Sequence, residues 1–199
     1  MDAFDIQDSG QRKTMPFEID ISNNQNSVQV DISQLRQAME NAIKIEQVAS
    51  AILSLSIVDN EAIHAINREH LQHDYPTDVI SFQLDFAIES DDEFEDDDSD
   101  NDNQNKDDDR PIESRPELRA QGAMIEGEII ASAQMASEMA SSGQWTAMNE
   151  LTLYVIHGLL HICGYDDLTP DEKDVMRARE RAILRELGLT PVYPDDASE

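Results

Sequence analysis

The stretch ELTLYVIHGLLHICGYDD, Glu150 to Asp167, holds the reading of this chain. Between residues 151 and 162 only Thr152, Tyr154, Gly158 and two histidines interrupt an apolar run. A helix this apolar is buried on most sides. His157 and His161 are four apart, so they share one face, one turn from each other. Glu150 and Tyr154 extend that stripe toward the N-terminus and serve to orient a ligand or to pack. Imidazoles in an apolar helix need partners, because unsatisfied polar burial costs roughly 1–3 kcal/mol per group. A metal ion is one solution, since neutral imidazoles at i and i+4 can bind one Zn²⁺. Gly164 can end the helix in the left-handed conformation and turn the chain back. The spacing His157-x₃-His161-x₂-Gly164-x₂-Asp167 matches the long motif of zinc hydrolases, with Asp167 where a third histidine is usual. A His₂-carboxylate set leaves an open coordination position. Asp166 is the alternative ligand, or a group that orients Asp167. Gly158 stands where HExxH proteases carry their general base, so proteolysis is disfavoured.

Outward from this segment the chain alternates strands and helices. Ala123 to Ala131 reads as a strand, and the chain turns helical from Ser132. After it, Thr169-Pro170-Asp171-Glu172 is a capping box, and Gly188 and Pro191 close that last helix. Upstream, Phe17 to Ile21 alternates as a strand, and a helix runs from about Asp31 to Ile45 with Leu35, Met39, Ala42 and Ile43 on one side. Ala51 to Val58 is a second strand, followed by a helix capped by Asn60 that carries Ile63, Ile66 and His70. Pro76 ends that helix, and Asp78 to Phe86 is a third strand. The expected fold is a single small α/β (α+β) domain. It has a mixed sheet of about four strands packed with helices, and a metal site at a helix–turn.

Charge is the second feature. The 199 residues carry 43 acids and 14 bases, a formal net charge of −29. Residues 89–109 hold 13 of those acids and one base, a net −12. With Phe94 as its sole apolar residue, that run reads as a solvated, disordered insertion. The domain is expected over 17–188, interrupted by an insertion at 89–122, with polar tails at 1–16 and 189–199. Such a balance excludes a protein that grips duplex nucleic acid by bulk positive charge, so DNA is not an expected partner. There is no run of eighteen apolar residues and no apolar leader, so neither a membrane span nor a secretory signal is expected. One cysteine, Cys163, fits a reducing cytoplasm.

At this point the chain resembles a known family. His157-Gly158-Leu159-Leu160-His161-Ile162-Cys163-Gly164-Tyr165-Asp166-Asp167 is similar to the HGxLHLxGYDH signature of YbeY, the bacterial rRNA maturation factor. Pro76 to Phe82 (PTDVISF) resembles its PTDVLSF segment, Gly127 to Ile130 its GDI strand, and Asp20 to Gln25 its IxNxQ segment. The resemblance runs from about Phe17 to Gly188. It implies a metal-dependent endoribonuclease specific for single strands, a hydrolase of RNA phosphodiesters. The implied roles are 16S rRNA 3′-end maturation and late ribosome quality control. The implied partners are single-stranded rRNA, the ribosome or its small subunit, and ribosomal proteins. It also implies one Zn²⁺ in a cleft, with His157, His161 and Asp167 in the ligand places. The alternative is a non-catalytic ribosome assembly factor whose metal is structural.

Two departures from the family pattern matter. Asp167 replaces the third histidine, which adds negative charge and widens the choice of metal toward Mn²⁺ or Fe²⁺. The family's NxxYR segment is Asn67-Arg68-Glu69-His70-Leu71 here, so Leu71 stands at the arginine position. Arg68, three residues earlier on the same helix side, is the candidate replacement, its bland reading being a solvated helix residue. His70 and His73 are acid–base candidates. Thr77 and Ser81 either meet phosphate or cap strand and turn. Arg110, Arg115, Arg119 and the arginines of the last helix supply local positive charge.

Overall fold

A computed structural model describes residues 17–88, 118–140, 145–191 and 193. Four strands and five helices follow the expected order. They are β1 (Glu18–Asn23), α1 (Ile32–Ile45), β2 (Ser50–Val58), α2 (Asn60–Ile66), β3 (Val79–Ile88), β4 (Ala123–Ser132), α3 (Ala133–Ala140), α4 (Ala147–Ile162) and α5 (Pro170–Glu186). A π-helical turn, Asn67–Leu71, continues α2.

The sheet order is β1-β2-β4-β3. β1, β2 and β4 run parallel, and β3 pairs antiparallel with β4 at the edge. Parallel neighbours need a crossover, and α1 supplies it between β1 and β2. Alternation along the strands sends Ile19, Leu53, Leu55, Ile57, Ile125 and Ile129 into one core with α1 and α4. Helix α4 lies close against the sheet at Gly158, where a Cβ would sit 3.1 Å from both Ile129 Cγ2 and Val79 Cγ2. That glycine therefore has a packing role beside its absence of a base. It lets the helix carrying both histidines approach the β3 edge.

Three expectations shift. The cap of α2 is Asp59, whose carboxylate accepts from Ala62 N at 2.9 Å, while Asn60 is already helical and accepts from Ser132 Oγ at 2.6 Å. The helix to His70 is not uniform, because α2 stops at Ile66 and the π-helical turn ends on Gln72 at φ +60°. Segments assigned to the insertion and the C-terminal tail are packed. Ala120 is fully buried and Gly122 N donates to Gln47 O at 2.9 Å. Pro191 and Tyr193 are buried, and the Tyr193 hydroxyl donates to Glu180. Burial of these few apolar side chains outweighs the polarity of their neighbours, on which the tail reading rested. The N-terminal tail 1–16, the acidic run 89–109, Arg110 and Arg115 lie outside the described residues.

Candidate metal centre

Helix α4 is capped by Thr146, whose hydroxyl accepts from Asn149 N at 3.1 Å. Its other end closes in a Schellman motif. Gly164 adopts φ +86°, its N–H donates to His161 O, and Tyr165 N donates to Leu160 O. The chain therefore doubles back over the last turn of the helix. Asp166 Oδ1 accepts from Asp167 N at 2.8 Å, which fixes the start of the returning segment.

This turn brings together His157, His161 and Asp167, with one ligand atom from each inside 4.8 Å of the others. The two Nε2 atoms are 3.0 Å apart, and Asp167 oxygens stand 3.9 Å from each of them. Arms of about 2.0–2.1 Å in a tetrahedron place donors about 3.3–3.4 Å apart, so the histidine nitrogens stand slightly closer than one ion requires, and the Asp167 oxygens, a different one facing each histidine, somewhat farther. Asp167, rather than Asp166, completes the group.

Partners on the far side of each ring set the tautomers. His157 Nδ1 donates to Glu180 Oε1 at 2.7 Å, and His161 Nδ1 donates to the Tyr165 carbonyl at 3.0 Å. With both protons on Nδ1, two Nε2 lone pairs face each other beside a carboxylate. Only a cation or a shared proton relieves that arrangement. Two imidazoles and a carboxylate suit zinc and other first-row ions, so the group could bind a metal. Burial disfavours charge on His157, but the Glu180 hydrogen bond and charge, helped by Asp167 and Asp78, carry its pKa above the ordinary value. His161 is pushed down by burial and by the neighbouring His157 charge.

A second layer holds the turn. The Tyr165 hydroxyl donates to Glu46 Oε2 at 2.7 Å, and Arg179 donates to Glu46 Oε1 through Nε at 3.0 Å and Nη2 at 2.6 Å. Glu46 is fully buried at the C-cap of α1. Arg119 donates from Nη1 to Gly164 O at 2.8 Å, and its guanidinium lies 5.1 Å over the Tyr165 ring. Sequence reading does not reach Glu180, Tyr193 or Glu46, and Arg179, expected among the arginines of the last helix to supply local positive charge, is instead paired with buried Glu46. One signal was present: Glu46 and Glu180 each interrupt a buried stripe, after Met39 and Ala42 in α1 and after Met176 in α5.

Two cavities meet at the group. One, of about 510 Å³, lies between the π-helical turn, β3 and the histidines, and is lined by Leu71, Asp78, Ser81 and Gln83 among others. The second, of about 260 Å³, opens toward α5. Both are bordered by His157, Asp78 and Asp167. Leu71, not Arg68, borders the larger cavity. Arg68 is exposed, with Nη1 4.0 Å from Asp74 Oδ1. His70 meets the Phe82 ring edge-on and His73 stacks on Tyr75. The Thr77 hydroxyl donates to Asp78 Oδ1 at 2.9 Å. The Tyr154 hydroxyl is hydrogen-bonded to Glu150, whose carboxyl is raised by burial.

The family described as Endoribonuclease YbeY matches residues 20–188. The chain belongs to the YbeY family. Endoribonuclease YbeY of Rhodopirellula baltica is 36% identical over 169 residues, 83% of this chain and 70% of that one. The Bacillus velezensis Endoribonuclease YbeY is 35% identical over 178 residues, 88% of this chain and 99% of that one. The solution structure of TM1509 from Thermotoga maritima is similar with a TM-score of 0.48 at 19% identity, over 85% of this chain and 91% of that one. No helix among the described residues is long and apolar enough to cross a membrane.

Proposed function

We propose that this chain is a metal-dependent endoribonuclease that cuts single-stranded rRNA. Its place would be 16S rRNA 3′-end maturation and late ribosome quality control, in the cytoplasm, on the ribosome or its small subunit. The carrying observation is the convergence of His157 Nε2, His161 Nε2 and Asp167 on one point where two cavities meet. Membership of a family whose relatives are named endoribonucleases gives that point its substrate class.

His157, His161 and Asp167 would hold the ion, Zn²⁺ first and Mn²⁺ or Fe²⁺ next by donor type. Bound there, it would polarise a phosphate oxygen and acidify water. The chain's own residues supply the frame. Glu180 and the Tyr165 carbonyl keep both Nε2 lone pairs aimed inward. Glu46 and Arg179 fix Tyr165 through its hydroxyl. On this reading the substrate is an unpaired strand that enters between α4 and β3, and ribosomal contacts supply affinity that a −29 chain lacks. A structural metal in a non-catalytic assembly factor would call for a closed site. Three donors opening onto two cavities favour catalysis.

The test combines metal analysis with cleavage of single-stranded RNA, on wild type and His161→Ala. One bound transition metal, lost together with cleavage in the variant, is expected. A variant that keeps stoichiometric metal removes the site assignment. Equal cleavage by a chelator-stripped sample removes the metal from the reaction.

A further inference from the structure

The smaller cavity combines three kinds of wall. Met139, Leu153 and Met176 supply apolar surface. Glu150 and Asp78 present carboxylates. Lys173 and Arg177, one turn apart on α5, bring two cations to the same space. His157 and Asp167 border it as well, so whatever enters lies beside the metal group.

Each wall type selects something different. Methionine and leucine pack against the faces of a flat heterocycle, and thioethers favour aromatic contact. Carboxylates accept hydrogen bonds and repel acceptors. Lysine and arginine pair with phosphate. A nucleotide carries a matching part for all three. At about 260 Å³ the space is just under the roughly 300–1,000 Å³ typical of drug-sized ligands, a scale for one base rather than a paired helix.

We infer that this cavity takes the base of a nucleotide flanking the scissile phosphate, that Lys173 and Arg177 hold a phosphate of that nucleotide, and that Glu150 and Asp78 select a base presenting an amino edge. The inference rests on the RNA-cleaving reading above. Cytosine and uracil separate the terms, because they have the same ring size and differ where the carboxylates act. Cytosine offers its N4 amino group to Glu150 or Asp78, as acidic side chains do when reading cytosine elsewhere. Uracil presents a carbonyl oxygen there and is repelled. Asp78 has one oxygen already occupied, since Oδ1 accepts from Thr77 Oγ1 and Val79 N. Glu150 likewise accepts from the Tyr154 hydroxyl, so each carboxylate has an oxygen left for the amino edge.

The experiment measures binding of labelled oligocytidine and oligouridine to the full, chelator-stripped chain by fluorescence anisotropy. In parallel, cleavage positions are mapped with the metal-loaded chain on a mixed-sequence single strand. Wild type is expected to favour oligocytidine by about fivefold or more, the scale of one good base contact, and to cut beside cytidine. Glu150→Gln should bring the ratio toward one. Leu153→Trp, which fills the cavity, should do the same while weakening both ligands. Arg177→Ala should weaken both equally and leave the ratio intact. Equal affinity for the two oligomers, absence of binding to either, or a preference that survives both Glu150→Gln and Leu153→Trp overturns the inference. Cleavage that is metal-dependent but blind to the flanking base sinks the subsite alone. A cytidine preference in binding with no cleavage of any RNA keeps the nucleotide site and removes the enzymatic reading.

Discussion

Glu180 decides which nitrogen of His157 faces the cleft. Its Oε1 accepts from Nδ1 and its Oε2 from the Tyr193 hydroxyl, so the carboxylate is held from two sides and nearly buried. Partners of this kind are commonly worth 10–100-fold in metal affinity. Metal binding also requires neutral imidazoles. The pKa of His157 is raised, so protons compete there already above the usual value of about 6.5. That of His161 is lowered, so it competes only below that value. Zinc affinity should therefore fall in two stages on acidification, beginning above about pH 6.5. For the metal-free fold the signs oppose each other. The raised His157 contributes stability at low pH that is lost as pH rises through its folded pKa, whereas His161 costs stability as pH falls through its unfolded pKa. Glu180→Gln should lower zinc affinity about 10–100-fold near neutrality and move the first stage to lower pH. Competition against a fluorescent chelator across the pH range reads both effects, and an unchanged first stage would clear Glu180 of this role. The histidines and Asp167 were legible because their spacing is local, within one helix and one glycine turn. Glu180 lies 23 residues from His157 and Glu46 lies 119 from Tyr165. Pairings over such distances leave only a misplaced acid in an apolar stripe as a trace.

At the scale of elements, the site depends on how close α4 comes to the sheet. Gly127 on β4 is the tightest point. A Cβ there would sit 2.6 Å from Ile162 Cδ1 and 2.8 Å from the Phe82 carbonyl oxygen. The isoleucine end can rotate, but the carbonyl belongs to the paired strand β3 and cannot move without breaking register. Gly127→Ala should cost about 1–3 kcal/mol, the range for overpacked cores. A urea midpoint shifted at constant slope would show it, and a midpoint equal to wild type would mean the strands yield freely. Element types were readable here because period-2 and helical patterns are strong in Ala51–Val58 and Ala123–Ala131, and because Thr169-Pro170 marks a helix start. Sequence alone does not separate Asp59 from Asn60 as the cap of α2, since both are good caps and the end of β2 decides between them. The π-helical turn left no pattern, because one added residue per turn changes geometry without changing composition.

At the scale of the whole molecule, two charges under the surface connect distant parts of the chain. Glu46 ends α1, Arg179 sits in α5, and Tyr165 belongs to the glycine turn after α4, so one carboxylate ties three elements together. Net charge is a poor guide to such a place. Of the −29, a net −12 falls in residues 89–109, and the composition does not reveal that one glutamate is fully buried and paired. Strand order was equally silent, since alternating strands and helices fit several sheets and only the pairing of β4 between β2 and β3 selects this one. The Glu46–Arg179 contact has Arg179 at 12% side-chain exposure and Glu46 at 0%, so solvent screens it little. Breaking one side of a buried pair typically costs about 3–5 kcal/mol, because the remaining charge loses its partner, whereas replacing both with apolar groups costs far less. Arg179→Met should therefore destabilise the fold by about 3–5 kcal/mol. Adding Glu46→Leu should recover most of that loss, though the Tyr165 hydroxyl then loses its acceptor. Urea unfolding of the two single variants and the double variant closes the cycle. A double variant as unstable as the sum of the singles would show that the two residues act apart.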